Sequence, residues 1–315
     1  MSTAVSASTK PGTSPPGKPQ RRGRRSRGEA RLAWYLITPA ILLLAAVIGY
    51  PLVKAVYLSL FSDTIGEEAE FIGLGNYRRA LTGDASADFW SAVQVTLLFA
   101  VVTVLLEVVI GTAMALVMHR AFRGRGLVRA SVLVPWAIPT ALTSVLWQWM
   151  LQPDGIVNGM TGETVLWTGS EWPATWAIII ADTWKTAPFL ALLVLAGLQL
   201  IPDELHEAAR VDGAGVWRRF RSITLPLLMP ALMVAVLFRL LDVLRIYDLP
   251  QILTGGANGT TTLSMLVVQA SVEQTKFGYG SALSTLTFLF IFVVALLFVR
   301  FLGTTLMPAE EGKES

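Results

Sequence analysis

Six stretches of this chain run for at least 17 residues with almost no charge, and that pattern leaves little choice of fold. They cover residues 32–53, 89–106, 130–153, 172–200, 222–238 and 277–299; only the fourth is interrupted, by Asp182 and Lys185. A bilayer core of about 30 Å is crossed by roughly 20 helical residues, with about 17 to 25 tolerated, so each stretch is long enough to span once. Composition points the same way. Charged residues make up 15% of the 315-residue chain, whereas a soluble domain carries about 25%, and the missing ones are those that would have faced water. The expected fold is an all-α membrane protein with six transmembrane helices. The chain has no cysteine, which removes disulfides, thiolate metal sites and cysteine nucleophiles from consideration.

Lysine and arginine gather in cytoplasmic loops, so their distribution orients the helices. Eight of the 25 basic residues precede Leu32. Arg120, Arg123, Arg125 and Arg129 follow the second span, and Arg210, Arg218, Arg219 and Arg221 follow the fourth. The alternate loops are acidic: residues 61–88 hold six acids against two arginines, and residues 154–171 hold three acids and no base. Both termini are thus expected in the cytoplasm, and the basic balance reflects membrane orientation rather than nucleic-acid binding. The first span exceeds the roughly 7 to 15 apolar residues of a secretory signal and lacks a small-residue cleavage site. It also contains Pro39 and Pro51, and is read as a retained helix. Residues 1–31 cannot bury a core and are expected to form a disordered basic cytoplasmic tail, followed by a membrane domain over 32–305 and a cytoplasmic tail over 306–315.

Catalytic and nucleotide motifs are missing. Gly12 and Gly17-Lys18 imitate the spacing of a phosphate-binding loop, but Pro19 stands where Ser or Thr is needed and no strand precedes it. The two histidines, His119 and His206, fall in loops, so no histidine metal cluster or Ser-His-Asp constellation can assemble within the membrane. Asn258-Gly259-Thr260 fits a glycosylation sequon, a pattern short enough to arise by chance.

Residues 201–226 carry the densest signal. Pro202, Asp203 and Glu204 open a short helix with acids at its positive end, Ala208 and Ala209 favour it, and Gly213 ends or kinks it. A second short helix sets Trp217 and Phe220 three residues apart on one face and leaves Arg218, Arg219 and Arg221 to solvent. An apolar pair exposed on a cytoplasmic loop calls for a docking partner.

This segment resembles the EAA coupling loop of the permease subunits of binding-protein-dependent ABC importers. That motif joins Glu-Ala-Ala to a glycine four residues on and then, after nine more residues, to Ile-x-Leu-Pro. Glu207-Ala208-Ala209, Gly213 and Ile223-Thr224-Leu225-Pro226 meet each position. Residues 71–77 with Phe89-Trp90, 123–126, 195–202, 253–257 and 278–282 further resemble the sugar-importing branch with maltose- and glycerophosphate-like subunits. Ala257 stands where that branch usually has proline, which loosens the local turn. Residues 240–248 and Trp184-Lys185-Thr186 are most similar to actinobacterial trehalose importers. Only the long N-terminal tail and the residues after Gly303 have no counterpart.

The resemblance implies a multi-pass protein of the bacterial inner (plasma) membrane that catalyses no reaction itself. It implies two ATP-binding cassette subunits carrying the ATP and Mg, a second homologous permease completing the path, and an extracytoplasmic sugar-binding lipoprotein. The substrate implied is a di- or oligosaccharide of trehalose or maltose type, with no cofactor and no nucleic acid bound by this chain. ATPase coupling would fall to Glu207, Ala208, Ala209, Asp212, Gly213, Trp217 and Phe220.

Charges inside spans are functional hypotheses by default, because each costs about 2.5 to 3.5 kcal/mol on insertion scales. Arg239, Asp242 and Arg245 follow at i, i+3 and i+6 as a plus-minus-plus stripe along the fifth helix, and Asp182 and Lys185 lie three apart on the fourth. With both stripes in the outer half of their helices, the two are expected at similar depth. One reading lines a sugar path with Asp182, Trp184, Lys185, Asp242, Arg245, Tyr247 and Asp248, Trp184 offering a flat face to a pyranose. The other is a salt-bridge network bracing two helices, with Arg239 snorkelling to the interface and Glu107 standing alone in the second span. The apolar stretch 260–272 is too short to span and suits either a re-entrant helix lining a vestibule or a buried packing helix.

Three rivals fit less of the sequence. An ion-coupled secondary transporter would use Asp182, Asp242 and Glu107 as relay carboxylates, but usually brings more spans and internal repeats. An intramembrane enzyme lacks a nucleophile and base. An ABC permease for amino acids or phosphate fits the EAA loop but not the outward segments.

Overall fold

The computed structural model of the chain describes residues 27–62, 68–120 and 123–306. Residues 1–26, 63–67, 121–122 and 307–315 lie outside the described residues, and with them most of both expected tails. The chain divides into two compact units between Leu52 and Val53.

The first unit is helical. Helix α1 (Arg27–Leu44) passes through a single π turn at Ala45–Gly49 into α2 (Tyr50–Leu58). Pro51 has no N–H to close the helical ladder, and a wider turn just before a proline absorbs the missing bond without breaking the rod. Trp34–Leu58 together make a 25-residue apolar helix.

The second unit begins within α2 at Val53 and continues with a two-residue hairpin, β1 (Phe61–Ser62) antiparallel to β2 (Glu70–Phe71), and a short helix α3 (Gly75–Leu81). The buried Asn76 amide locks this corner by donating to the carbonyls of Ser59 and Phe61, both at 2.9 Å. Then come α4 (Ser86–His119), α5 (Arg125–Ala137), α6 (Thr140–Met150), α7 (Ile156–Thr161) and α8 (Glu171–Leu198). The short helices α9 (Asp203–Val211) and α10 (Val216–Arg219) lead into α11 (Leu225–Val243), α12 (Asp248–Thr254), α13 (Leu263–Val268) and α14 (Phe277–Leu306).

Five described helices are long and apolar enough to cross a membrane, and the bent pair α5 and α6 brings the number to six where the pair is counted as one broken span. That pair corrects the sequence expectation. Residues 130–153 were expected to span as one run, but α5 and α6 meet at 92°. Proline explains the break: Pro139 forces Ile138 into an extended conformation (φ −76°, ψ 130°), which ends α5 and restarts the chain as α6.

Helices α4, α8 and α11 form the core, and α8 is its axis, with small residues such as Ala174, Ala177, Ala181, Ala187 and Ala191 all buried. Lipid tails are as apolar as leucine, so helices in a bilayer associate through close contact at small residues. Gly111 of α4 shows how close. A Cβ there would lie 2.7 Å from Leu190 Cδ2 and 3.1 Å from the Ala187 carbonyl oxygen of α8. Gly197 plays the same part between α8 and α11, where a Cβ would meet Ala231 Cβ at 2.5 Å. The opposite face of α4 leaves Val101, Leu105 and Val109 exposed at helical spacing, an apolar stripe for lipid.

Of the two expectations for residues 260–272, the buried packing helix fits: Leu263, Met265 and Ala270 are buried. Thr96 of α4 accepts the Leu263 N–H at 3.1 Å, and the Thr262 hydroxyl donates to the Ile246 carbonyl at 2.9 Å. Asn258, the sequon asparagine, donates its side-chain amide to the Thr168 carbonyl at 2.7 Å.

Candidate functional site

Three helices each contribute a charged residue to one buried point. On α8, Asp182 and Thr186 are four residues apart and share a face; on α11, Arg239 and Asp242 are three apart; Glu107 lies one turn before Gly111 on α4, a point of close approach to α8. Arg239 joins them. Its Nε donates to Glu107 Oε2 at 2.6 Å, its Nη1 to Asp242 Oδ2 at 2.6 Å, and its Nη2 to Asp182 Oδ2. The Thr186 hydroxyl lies within hydrogen-bonding reach of both Glu107 Oε1 and the Asp182 carbonyl oxygen and has one proton to give. Side-chain exposure is 2% for Arg239, 0% for Glu107 and 9% for Asp182, against 67% for Asp242. A guanidinium so buried is tolerable only because its fork of donors meets carboxylates on three sides.

Two expectations are overturned here. Arg239 does not snorkel to an interface, and Glu107 does not stand alone: each is the other's partner, and the network ties three helices rather than two. A third is revised, because the fifth helix does not carry the plus-minus-plus stripe to its end. Helix α11 stops at Val243, and Arg245 sits in the following turn with its Nε on the Leu241 carbonyl at 3.1 Å.

Beside the cluster lies a cavity of about 160 Å³. Its walls are Thr140 at the start of α6, Asp182, Lys185 and Thr186 of α8, Arg239, Asp242 and Val243 of α11, and the segment from Arg245 to Leu249 that enters α12. Six of the seven residues expected on a solute path, Asp182, Lys185, Asp242, Arg245, Tyr247 and Asp248, meet there. The seventh, Trp184, is outside the lining and stands edge-on to Trp147 of α6, ring centroids 5.9 Å apart. Helices α6 and α12, which close the far side, are tied by Gln148, whose amide donates to the Ile252 carbonyl at 3.0 Å. The walls alternate carboxylate acceptors with ammonium, guanidinium and hydroxyl donors, a set able to hydrogen-bond a polar solute from several sides. Among the described residues, no group of His, Asp and Glu is arranged to hold a metal ion.

Glu107, Arg239, Thr186 and Thr140 were not picked out as site residues from the sequence. A usable signal existed for the first two: acids and a cation standing within or directly at the ends of separate apolar runs can be hidden from lipid only by meeting one another.

The loop residues lie elsewhere, at the ends of α8 and α11. Helix α9 carries Asp203 and Glu204 in its first turn and buries none of its residues. It ends in a Schellman motif, with the Ala214 N–H on the Ala209 carbonyl at 2.9 Å and the Gly213 N–H on the Arg210 carbonyl at 3.0 Å. Gly213 has φ +73°, a backbone state that a side chain would strain. Trp217 and Phe220 stack at 5.6 Å, and Trp217 is 71% exposed. Glu207, Ala208, Asp212 and Gly213 are also exposed, while Ala209 and Phe220 are half-buried.

Residues 107–308 match the family of binding-protein-dependent transport system inner membrane components. The chain belongs to this family. The matched stretch begins at Glu107 and takes in the whole ion cluster, the cavity and the exposed loop. Relatives of this permease include the trehalose transport system permease protein SugA of Mycobacterium tuberculosis, 41% identical over 279 residues that cover 87% of this chain and 90% of that one. The trehalose/maltose transport system permease protein MalF of Thermococcus litoralis is 40% identical over 280 residues, covering 86% and 94%. The fold is that of a solved bacterial ABC transporter involved in the import of the acidic polysaccharide alginate, with a TM-score of 0.74 at 20% identity over 87% of this chain and 96% of that one. The chain is accordingly a permease subunit of an ABC importer and a multi-pass protein of the inner membrane.

Proposed function

We propose that this permease forms half of the translocation path for a di- or oligosaccharide of trehalose or maltose type, with the cavity between α6, α8, α11 and α12 as part of that path. The observation that carries the proposal is the convergence of Asp182, Lys185, Asp242, Arg245, Tyr247 and Asp248 on one cavity. Two relatives covering at least 86% of the chain and named for trehalose and maltose support the choice of sugar. A second, homologous permease supplies the other half. The binding protein that gives the family its name delivers the sugar from outside and is expected to be lipid-anchored.

Helices α9 and α10 lie on the cytoplasmic side in this proposal and dock into two ATPase subunits, which bind the ATP and Mg; this chain binds no cofactor. Glu207, Ala208, Ala209, Asp212 and Gly213 form the docking helix and its rigid end, and Trp217 and Phe220 supply an apolar contact. ATP binding and hydrolysis would then rock the helices as rigid bodies and open the cavity to each side in turn. Both termini face the cytoplasm, as the arginine-rich loops require.

The test has two arms. The tagged chain is purified from detergent-solubilised membranes of its native host and its companions identified by mass spectrometry; an ATPase, a second permease and a lipoprotein are expected. Uptake of labelled trehalose and maltose is then compared between wild-type and deletion strains, with uptake lost on deletion. Purification of the chain alone, together with sugar accumulation in ATP-free vesicles under an ion gradient, would replace the proposal with a secondary transporter.

A further inference from the structure

We propose that Glu107 sets the charge selectivity of the cavity from behind its wall, so that the site favours uncharged sugars over anionic ones. The inference rests on the cavity being part of the sugar path. Glu107 has no exposed surface and no place in the cavity lining, yet it touches two residues that do line it, Arg239 and Thr186.

Charge bookkeeping shows what it does there. The exposed groups on the open side, Asp242, Arg245 and Asp248, are screened by solvent, so the field inside is set mainly by the buried ones. These are Glu107, Asp182, Lys185 and Arg239, two acids and two bases that cancel. Lys185 has no hydrogen-bond or ion-pair partner among the described residues, and its ammonium is therefore the buried charge most available to a ligand. Without the Glu107 carboxylate, Asp182 would be the one buried counter-charge to Arg239 and Lys185, with the solvent-screened Asp242 on Arg239 besides, and a buried wall with net positive charge and hydrogen-bond donors is a receptor for an anionic group. Glu107 removes that field and also occupies the Arg239 Nε donor. It is a positioning residue that acts through Arg239, leaving the cavity suited to hydroxyl groups, which both donate and accept.

The test compares a sugar with its own carboxylate. The complex is purified from membranes, reconstituted in nanodiscs without the binding protein, and titrated with maltose and maltobionate while tryptophan fluorescence is followed. Wild type is expected to bind maltose at least about ten-fold more tightly than maltobionate. Glu107→Gln keeps the shape and the acceptor for Arg239 Nε, turns its amide N–H toward the Thr186 hydroxyl as a donor, and removes the charge; it should narrow that gap about ten-fold, the size expected of one unit charge roughly 10 Å from a ligand at an effective dielectric near 20. Adding Lys185→Met to Glu107→Gln restores the charge balance and should restore the gap. A purely structural role for Glu107 would weaken both ligands together and leave their ratio alone. An unchanged ratio in Glu107→Gln, or a double variant that fails to revert, overturns the inference while leaving the sugar path intact. Wild type that binds neither sugar overturns the path and the inference together. If Glu107→Gln does not yield an assembled complex, Lys185→Met alone should widen the gap about ten-fold, and an unchanged gap in that variant is equally fatal.

Discussion

Arg239→Met is the perturbation that most directly probes how this bundle holds together. The variant keeps a long, flexible side chain of similar reach but withdraws the one cation that Glu107, Asp182 and Asp242 share. Glu107 and Asp182 would be left as buried carboxylates between three helices without the guanidinium that pairs with both, and only Asp182 would keep a cation, Lys185, in the same cavity. Removing one partner of a buried ion pair costs about 3 to 5 kcal/mol, chiefly because the charge left behind is uncompensated. Asp242 adds less than about 1 kcal/mol, because at 67% exposure water replaces its partner. The assay is thermal unfolding of the purified chain in detergent alongside its membrane abundance. Arg239→Met should lose most of its folded population at the growth temperature. The decisive control is Arg239→Met combined with Glu107→Gln and Asp182→Asn. The amide at position 107 can still accept the Thr186 hydroxyl, and neither amide carries a buried charge, so this triple variant should recover to within about 1 to 2 kcal/mol of wild type. Arg239→Met within about 1 kcal/mol of wild type, or a triple variant no more stable than the single, would refute the view that uncompensated charge governs this site.

Three further outcomes follow from other parts of the fold. Gly213→Pro cannot adopt φ +73° or donate to the Arg210 carbonyl; it should leave membrane abundance unchanged while uptake falls at least about ten-fold and ATP hydrolysis continues, and normal uptake would defeat the docking-lever mechanism. Gly111→Val should cost about 1 to 3 kcal/mol in thermal unfolding by forcing α4 from α8, whereas Gly126→Ala, whose Cβ meets nothing within 4 Å, should change nothing measurable. Asn158 holds the segment between α6 and α8 by donating to the Val165 carbonyl at 2.9 Å and accepting from Trp167 Nε1 at 3.0 Å; Asn158→Leu should speed amide exchange there by about ten-fold or more, at about 1 to 3 kcal/mol for the groups left unpaired, and unchanged exchange would mean that other contacts hold this segment.

The helical membrane class, the number of apolar runs and the exposed loop of α9 and α10 were legible in the sequence because each rests on short-range rules. Hydrocarbon excludes charge, so the spacing of charged residues measures out the spans without reference to what each span touches. The end of α9 is equally local, since Gly213 is a residue that tolerates positive φ and its two closing hydrogen bonds reach back only to Arg210 and Ala209. The break between α5 and α6 was legible in principle, because Pro139 restricts Ile138 directly, but run length alone concealed it.

What only tertiary structure decided was which charges meet. Glu107 and Arg239 are separated by 132 residues, and nothing near either one marks the other as its partner. Their meeting depends on Gly111, whose missing Cβ lets α4 approach α8, and on Gly197, which does the same for α8 and α11. Asp182 and Lys185 appear equivalent along the chain, three residues apart on one helix; packing gives Asp182 a guanidinium and leaves Lys185 facing the cavity. The cost of a buried charge is set by the distance and direction of its partner, and those are fixed by helix packing, which charge spacing along a single chain does not encode.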